Sequence, residues 1–229
     1  MKQRHIFIGV LAASLLALAL AMLFPAREHA PRREPQTLPL QIEPTADGSI
    51  RVFGLWLGKS TVGDAVNRFQ EPPEVSLFES PDKARVVEVY FNSVTLAGLR
   101  ARIVLSVDLD EQELAAIYAR GTRISTLGDG SRKVSLHADD LLRIKAAPIA
   151  GITYLPKAKP GEELLMARFG EPVRRIREKK NRTLHWLYPD QGLDIAHDRD
   201  GRVVLQYLPP KQFEQRLLRP LLAGGKEEF

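Results

Sequence analysis

The sequence predicts an α+β fold: an N-terminal transmembrane helix followed by two tandem repeats, each with helices packed on an antiparallel β-meander. Three observations predict it. Residues Ile6 to Phe24 carry no charge, and the chain matches itself at an offset of 100 residues. Within each matching half, an apolar period of 3.6 residues gives way to a period of two.

The apolar run comes first. Its 19 residues are preceded by Lys2 and Arg4 and followed by Pro25, Arg27 and Glu28. As a helix they would extend about 28 Å, close to the hydrocarbon thickness of a bilayer. The flanking cations put the amino terminus in the cytoplasm and everything beyond Pro25 on the other side. A cleaved secretory signal is the alternative, because Ala17-Leu18-Ala19 and Ala19-Leu20-Ala21 offer small-x-small cleavage patterns. Both readings give a periplasmic carboxyl-terminal region, single-pass in the inner membrane in one case and soluble after cleavage in the other. Residues 1–25 are therefore assigned to a signal anchor. Residues 26–46, rich in proline and in charges of both signs, form an extended linker.

The repeat follows. Arg68-Phe69-Gln70-Glu71-Pro72 falls on Arg168-Phe169-Gly170-Glu171-Pro172, four identities in five, and Arg102-Ile103-Val104-Leu105 falls on Arg202-Val203-Val204-Leu205. The first copy spans residues 47–150 and the second 151–222, leaving 223–229 as a disordered tail. In the first copy Ser60 caps a helix with the stripe Val62, Ala65, Val66, Phe69. Strands over Arg85–Phe91 and Arg100–Val107 follow, the second turning Ala101, Ile103, Leu105 and Val107 inward. Asp110 and Glu113 open the closing helix. Lys133–Leu136 adds a strand and Asp139–Lys145 a short helix. In the second copy Leu165, Met166 and Phe169 form the stripe of a helix that begins after Pro160. Thr183–Tyr188, Leu193–His197 and Arg202–Tyr207 make a meander turned at Asp198-Arg199-Asp200-Gly201, and Phe213, Leu217 and Leu218 mark the closing helix. The helices of each copy are expected on one sheet face.

In the second copy, the order of a helix, Arg168-Phe169-Gly170-Glu171-Pro172, Trp186-x-Tyr188, Gly192-Leu193 and Asp200-Gly201-Arg202-Val203 resembles the SmpA/OmlA (BamE-like) family of small envelope domains. That family's fold is described as similar to the beta-lactamase-inhibitor-protein (BLIP-like) repeat. The resemblance covers residues 155–208 and, more faintly, 54–107. It implies a non-enzymatic module acting by contact with other envelope proteins. The family's lipid-attachment cysteine is missing and an apolar span stands in its place, while the first copy carries Gln70 for the glycine and Val86 where the second has Trp186.

Composition narrows the chemistry. The 229 residues contain no cysteine, which removes disulfides, thiol nucleophiles and thiolate metal sites. A net charge of +5, mixed in sign along the chain, does not argue for nucleic acid. No Gly-x-Ser-x-Gly or His-Glu-x-x-His string occurs. Gly58-Lys59-Ser60 echoes the end of a phosphate loop, but Phe53 occupies the position of the upstream glycine and a helix cap accounts better for it. Glu71 and Glu171 read as exposed loop charges. Asp198-Arg199-Asp200-Gly201 lacks the further ligands of a calcium loop and reads as a turn. His185, Asp194, His197 and Asp198 give the one enzymatic alternative, a metal-dependent hydrolase, though their spacing is no recognised ligand pattern. No catalytic residue, metal or cofactor is assigned.

The strongest charge feature is Arg174 to Arg182, six cations against one anion in nine residues. It reads either as a solvated strand edge or as a contact for an acidic protein surface or anionic lipid headgroups. Trp186, Tyr188 and Tyr207 form either core or an aromatic binding face. The candidate interaction residues are Arg175, Arg177, Lys179, Lys180 and Arg182, with Trp186 and Tyr188 as anchors. The partners are other envelope proteins, with the inner membrane engaged through residues 6–24 and no nucleic acid.

Overall fold

A computed structural model describes residues 40–228. The helix expected over residues 6–24 and the first part of the linker lie outside them. No helix among the described residues is long and apolar enough to cross a membrane. The end of the expected linker is folded: Ile42–Pro44 (β1) pairs antiparallel with Ile50–Val52 (β2), which pairs with Leu55–Trp56 (β3). Burial of Ile50, Val52, Phe53 and Leu55 drives this small sheet onto the rest of the protein.

Helix α1 (Val62–Phe69) is capped by Thr61, one residue beyond the expected Ser60. The Asp64 N–H donates to the Thr61 hydroxyl at 3.2 Å and the Thr61 N–H to the Asp64 carboxylate at 2.8 Å, a reciprocal box that satisfies two orphan donors. Ser60 instead accepts from the Trp56 N–H. Strands β4 (Glu74–Glu79), β5 (Arg85–Leu96) and β6 (Leu99–Val107) follow, then α2 (Glu111–Ala119) with the expected Asp110–Glu113 box. After them come the hairpin β7 (Arg123–Thr126) and β8 (Arg132–Ser135), α3 (Ala138–Lys145) and β9 (Ile149–Pro156).

The second half runs α4 (Glu162–Phe169), β10 (Arg174–Glu178), β11 (Leu184–Tyr188), β12 (Leu193–His197) and β13 (Val203–Tyr207). The chain then forms α5 (Pro210–Phe213), a π-helical turn (Glu214–Leu218) and α6 (Arg219–Gly224). Residues Gly225–Glu228, expected to be disordered, add strand β14 against β10. Gly192 enters β12 with φ +60°, and a Cβ there would lie 2.0 Å from the Leu208 carbonyl oxygen, so only glycine fits.

The two separate α+β repeats expected from the sequence do not form. All the main strands join one antiparallel sheet of eleven, ordered β14-β10-β11-β12-β13-β9-β6-β5-β4-β8-β7. Strand β9 is the reason. It pairs with β6 on one side and β13 on the other, and its first four residues are all buried. The boundary expected between residues 150 and 151 falls inside this strand. The described residues accordingly lie in one compact unit.

One face of the sheet, called A here, carries Val87, Val89, Ile103, Leu105, Tyr154, Leu205, Tyr207, Ile195 and Trp186, buried with α1, α2 and α4 in one continuous core. Opposite it, on face B, Ile176 and Leu187 pack with Phe213 and Leu217 of the carboxyl-terminal helical segment. The closing helix of the second half thus covers the face opposite to the one its counterpart α2 covers, contrary to the single helix-covered face expected.

The short matching blocks nevertheless do the same local work. The Arg68 Nε donates to the Phe53 carbonyl at 3.0 Å, and the Arg168 Nε donates to the Leu40 carbonyl at 3.1 Å. The Phe69 ring meets Phe91 at 5.1 Å, and Phe169 meets Tyr188 at 6.0 Å. Each helix ends on a positive φ, at Gln70 (+54°) and Gly170 (+79°).

Candidate functional site

Alternation along β11 decides the fate of the aromatic candidates. Trp186 and Tyr188 face A, beneath α4, and are 4% and 2% exposed. The Tyr188 hydroxyl donates to the Gly170 carbonyl at 3.0 Å, and the Trp186 ring packs against His197 at 4.4 Å. Both are core residues rather than surface anchors. Tyr207 lies in the same core against Phe53, fully buried.

The basic stretch divides in two. Its strand portion is neutralised by neighbours: Arg175 meets Glu171 at 2.9 Å and lies over the Trp186 ring, Arg174 approaches Glu227, and Arg177 forks onto Glu228 of β14 at 2.6 and 3.0 Å. That fork holds the Glu228 carboxyl below the usual carboxylate range. Lys179, Lys180 and Arg182, on the turn from β10 to β11, are exposed and make no ion pair among the described residues.

Strand polarity brings further cations to that end of the sheet. It is where β10 and β12 finish, β11 and β13 begin, β9 finishes and β6 begins. Arg199 and Arg202 on one turn, Lys157 and Lys159 after β9, and Arg100 and Arg102 on β6 therefore share it with the turn lysines. Away from this end, several cations have carboxylates at close range, such as Lys59–Asp47 at 3.1 Å and Arg85–Glu79 at 2.9 Å. Here Arg202 meets its carboxylates only at longer range, and Arg199 makes no ion pair among the described residues. The Asp198 carboxylate accepts the backbone N–H groups of Asp200 and Arg202 at 2.9 and 2.7 Å, closing its own turn. The Arg202 guanidinium stays 3.7 Å from Asp200 and 4.0 Å from Asp198.

A groove of about 460 Å³ opens among these cations, with Arg102, Lys157, Lys159 and Arg202 around Leu155 and Val204. Its cations were not singled out from the sequence as a site. The signal was available in the repeat itself, which aligns Arg102 with Arg202, and in the flanking Lys157-Ala158-Lys159.

Of the residues of the hydrolase alternative, His185 and Asp194 are brought together, whereas His197 lies on the opposite face. His185 and Asp194 lie on face B, 5% and 0% exposed, with the imidazole Nδ1 2.9 Å from the carboxylate. His197 is on face A. Burial disfavours the charged imidazole, but the Asp194 carboxylate and the more distant Glu178, 3.9 Å from Nε2, outweigh it and raise His185 above its ordinary value. Burial raises Asp194 as well, so the pair holds its proton firmly. Among the described residues, no group of three His, Cys, Asp or Glu is arranged to hold a metal ion. Glu171 is engaged by Arg175, and Lys59 pairs with Asp47 and lies over the Trp56 ring, 3.6 Å away.

Comparison with known protein families, with characterised proteins and with solved structures finds no match for this chain.

Proposed function

We propose that this chain is a non-enzymatic interaction and scaffold module of the bacterial cell envelope, anchored in the inner membrane and facing the periplasm, that contacts an acidic surface of another envelope protein. The observation that carries this reading is the gathering of exposed cations without ion pairs at one end of the sheet, Lys179, Lys180, Arg182 and Arg199 foremost. Such an end raises a local positive potential, steers an anionic partner toward it and weakens with salt. The uncharged run Ile6–Phe24 behind Lys2 and Arg4 supports the location. The likeness of residues 155–208 to SmpA/OmlA domains supports the class of function.

The test uses the full chain in intact cells, with a photo-cross-linking residue in place of Lys180. A discrete adduct with an envelope protein is expected, and its yield should fall several-fold in Lys179→Glu/Arg182→Glu. Absence of any charge-sensitive adduct contradicts the contact. A carboxyl-terminal reporter active only in the cytosol contradicts the location. Adducts with lipid alone would move the reading to an anionic-lipid module.

A further inference from the structure

The groove of about 460 Å³ sits where the two halves meet. Strand β9 runs between β6 and β13, with Arg102 opposite Leu155 and Tyr154 opposite Leu205. Ile103 and Val203 are buried on face A, so alternation sends Arg102 and Arg202 toward face B, one on each side of Leu155. The two arginines hold the same place in the repeated block, Arg102-Ile103-Val104-Leu105 and Arg202-Val203-Val204-Leu205. The two matching blocks thus place equivalent guanidinium groups on either side of one strand.

We propose that this groove binds a phosphate ester, its phosphate held between Arg102 and Arg202 and its organic portion resting on Leu155, Pro156 and Val204. The donors are available. Arg102 and Lys157 make no ion pair among the described residues, and the Arg202 side chain is 70% exposed with carboxylates no closer than 3.7 Å. The Lys157 backbone N–H is fixed on the Arg100 carbonyl at 3.0 Å. Lys159 spends one N–H on the Asp200 carbonyl at 2.6 Å, which ties the β9 exit to the β12–β13 turn and keeps two N–H groups for a ligand. Asp198, the carboxylate on the lining, is engaged by its own turn. Two planar forks and two ammonium groups suit a tetrahedral phosphate oxyanion, and the apolar floor suits the carbon skeleton attached to it.

The chemistry fits a soluble phosphate ester and the headgroup of an anionic phospholipid alike, and two arms separate them. The full chain is reconstituted in phosphatidylcholine vesicles, and acylation of individual lysines by an amine-reactive reagent is followed by mass spectrometry. One arm adds glycerol 3-phosphate. The other replaces part of the phosphatidylcholine with phosphatidylglycerol. In at least one arm, labelling of Lys157 and Lys159 should slow by about fivefold or more while the exposed Lys145 reacts unchanged, since charge-assisted hydrogen bonds sequester the amines. Protection by the free ester assigns the site to soluble ligands, and protection by phosphatidylglycerol alone assigns it to lipid. Arg102→Gln and Arg202→Gln should each abolish the effect, Arg102→Lys should weaken it, and Lys179→Gln/Lys180→Gln should leave it intact. No protection in either arm overturns the proposal, as does protection that survives in Arg102→Gln/Arg202→Gln. The site uses none of the turn residues probed by cross-linking, so either result can fail while the other stands.

Discussion

Helix α2 and the carboxyl-terminal helical segment stand at matching places in the two halves, yet they cover opposite faces of one sheet. Leu114 and Ile117 of α2 enter the core on face A, whereas Phe213 and Leu217 pack on face B. The strands beneath explain the difference. On β10–β12, face B offers Ile176, Leu187 and Ala196 around the His185–Asp194 pair, apolar enough to reward a helix. On β4–β6, a transverse row of Ser76, Glu88 and Ser106, paired across the strands, splits the face B residues Phe78 and Val86 from Tyr90 and Val104, so the apolar area there is interrupted. A helix goes where the strand faces let it bury apolar surface, whatever its place in a repeat.

The largest expected effect comes from breaking the polar pair under the carboxyl-terminal segment. Asp194→Ala strands a buried imidazole and should cost about 3–5 kcal/mol in urea unfolding, and a compensating His185→Leu should recover much of it. The pair also gives the second half a pH signature. The folded-state value of His185 lies above its ordinary 6.5, so its contribution is whole below about pH 6.5 and is lost as pH rises through the higher folded value. Against the double variant His185→Leu/Asp194→Leu, which titrates at neither position, wild-type stability should fall between pH 6 and pH 9. A constant difference contradicts a titrating pair.

Phe213→Ala, at a residue 1% exposed, should cost about 3–5 kcal/mol, while Tyr90→Ala on the uncovered part of face B should cost about 1 kcal/mol. Equal losses would mean the two regions of face B are alike. Next come the helix ends. Gly170 sits at φ +79°, ψ −170°, a region open to glycine, so Gly170→Gln should cost about 1–3 kcal/mol. Gln70→Gly at the matching position, φ +54°, should stabilise by about 0.5–1 kcal/mol. The smallest effect is at Glu88, whose carboxyl is raised by burial. Its folded state favours the proton, so the charged form is a burden at neutral pH. Glu88→Gln should therefore stabilise by a few tenths of a kcal/mol at pH 7, roughly the scale of surface substitutions, and the gain should vanish below about pH 4.

The sequence made some of this legible. Period-two alternation located β6, turn residues around short strand-forming runs located β11, β12 and β13, and the Asp110–Glu113 spacing located the start of α2, because these signals are local and physical. Strand β9 escaped because a short apolar run, Ile149 to Pro156, has no periodicity when both faces are buried. Strand β14 escaped because Gly225-Lys226-Glu227-Glu228 has no strand propensity of its own and is held by Arg177 and Arg174 across the edge. Among the proposed contact residues, Trp186 and Tyr188 fell to the core because composition alone does not reveal which sheet face a helix covers. The cations of the groove were visible singly, but only the register across β6, β9 and β13 brings them together.

The opposite-face arrangement can be tested directly in the living cell, because the chain contains no cysteine. Leu187→Cys/Leu217→Cys joins two residues of the face B cluster, and Trp186→Cys/Leu217→Cys joins residues from opposite faces. With a short bifunctional thiol reagent, the first pair should link within the chain in high yield and the second should not. Efficient linkage of the 186–217 pair, with the 187–217 pair unlinked, would return the closing helix to face A and contradict the account.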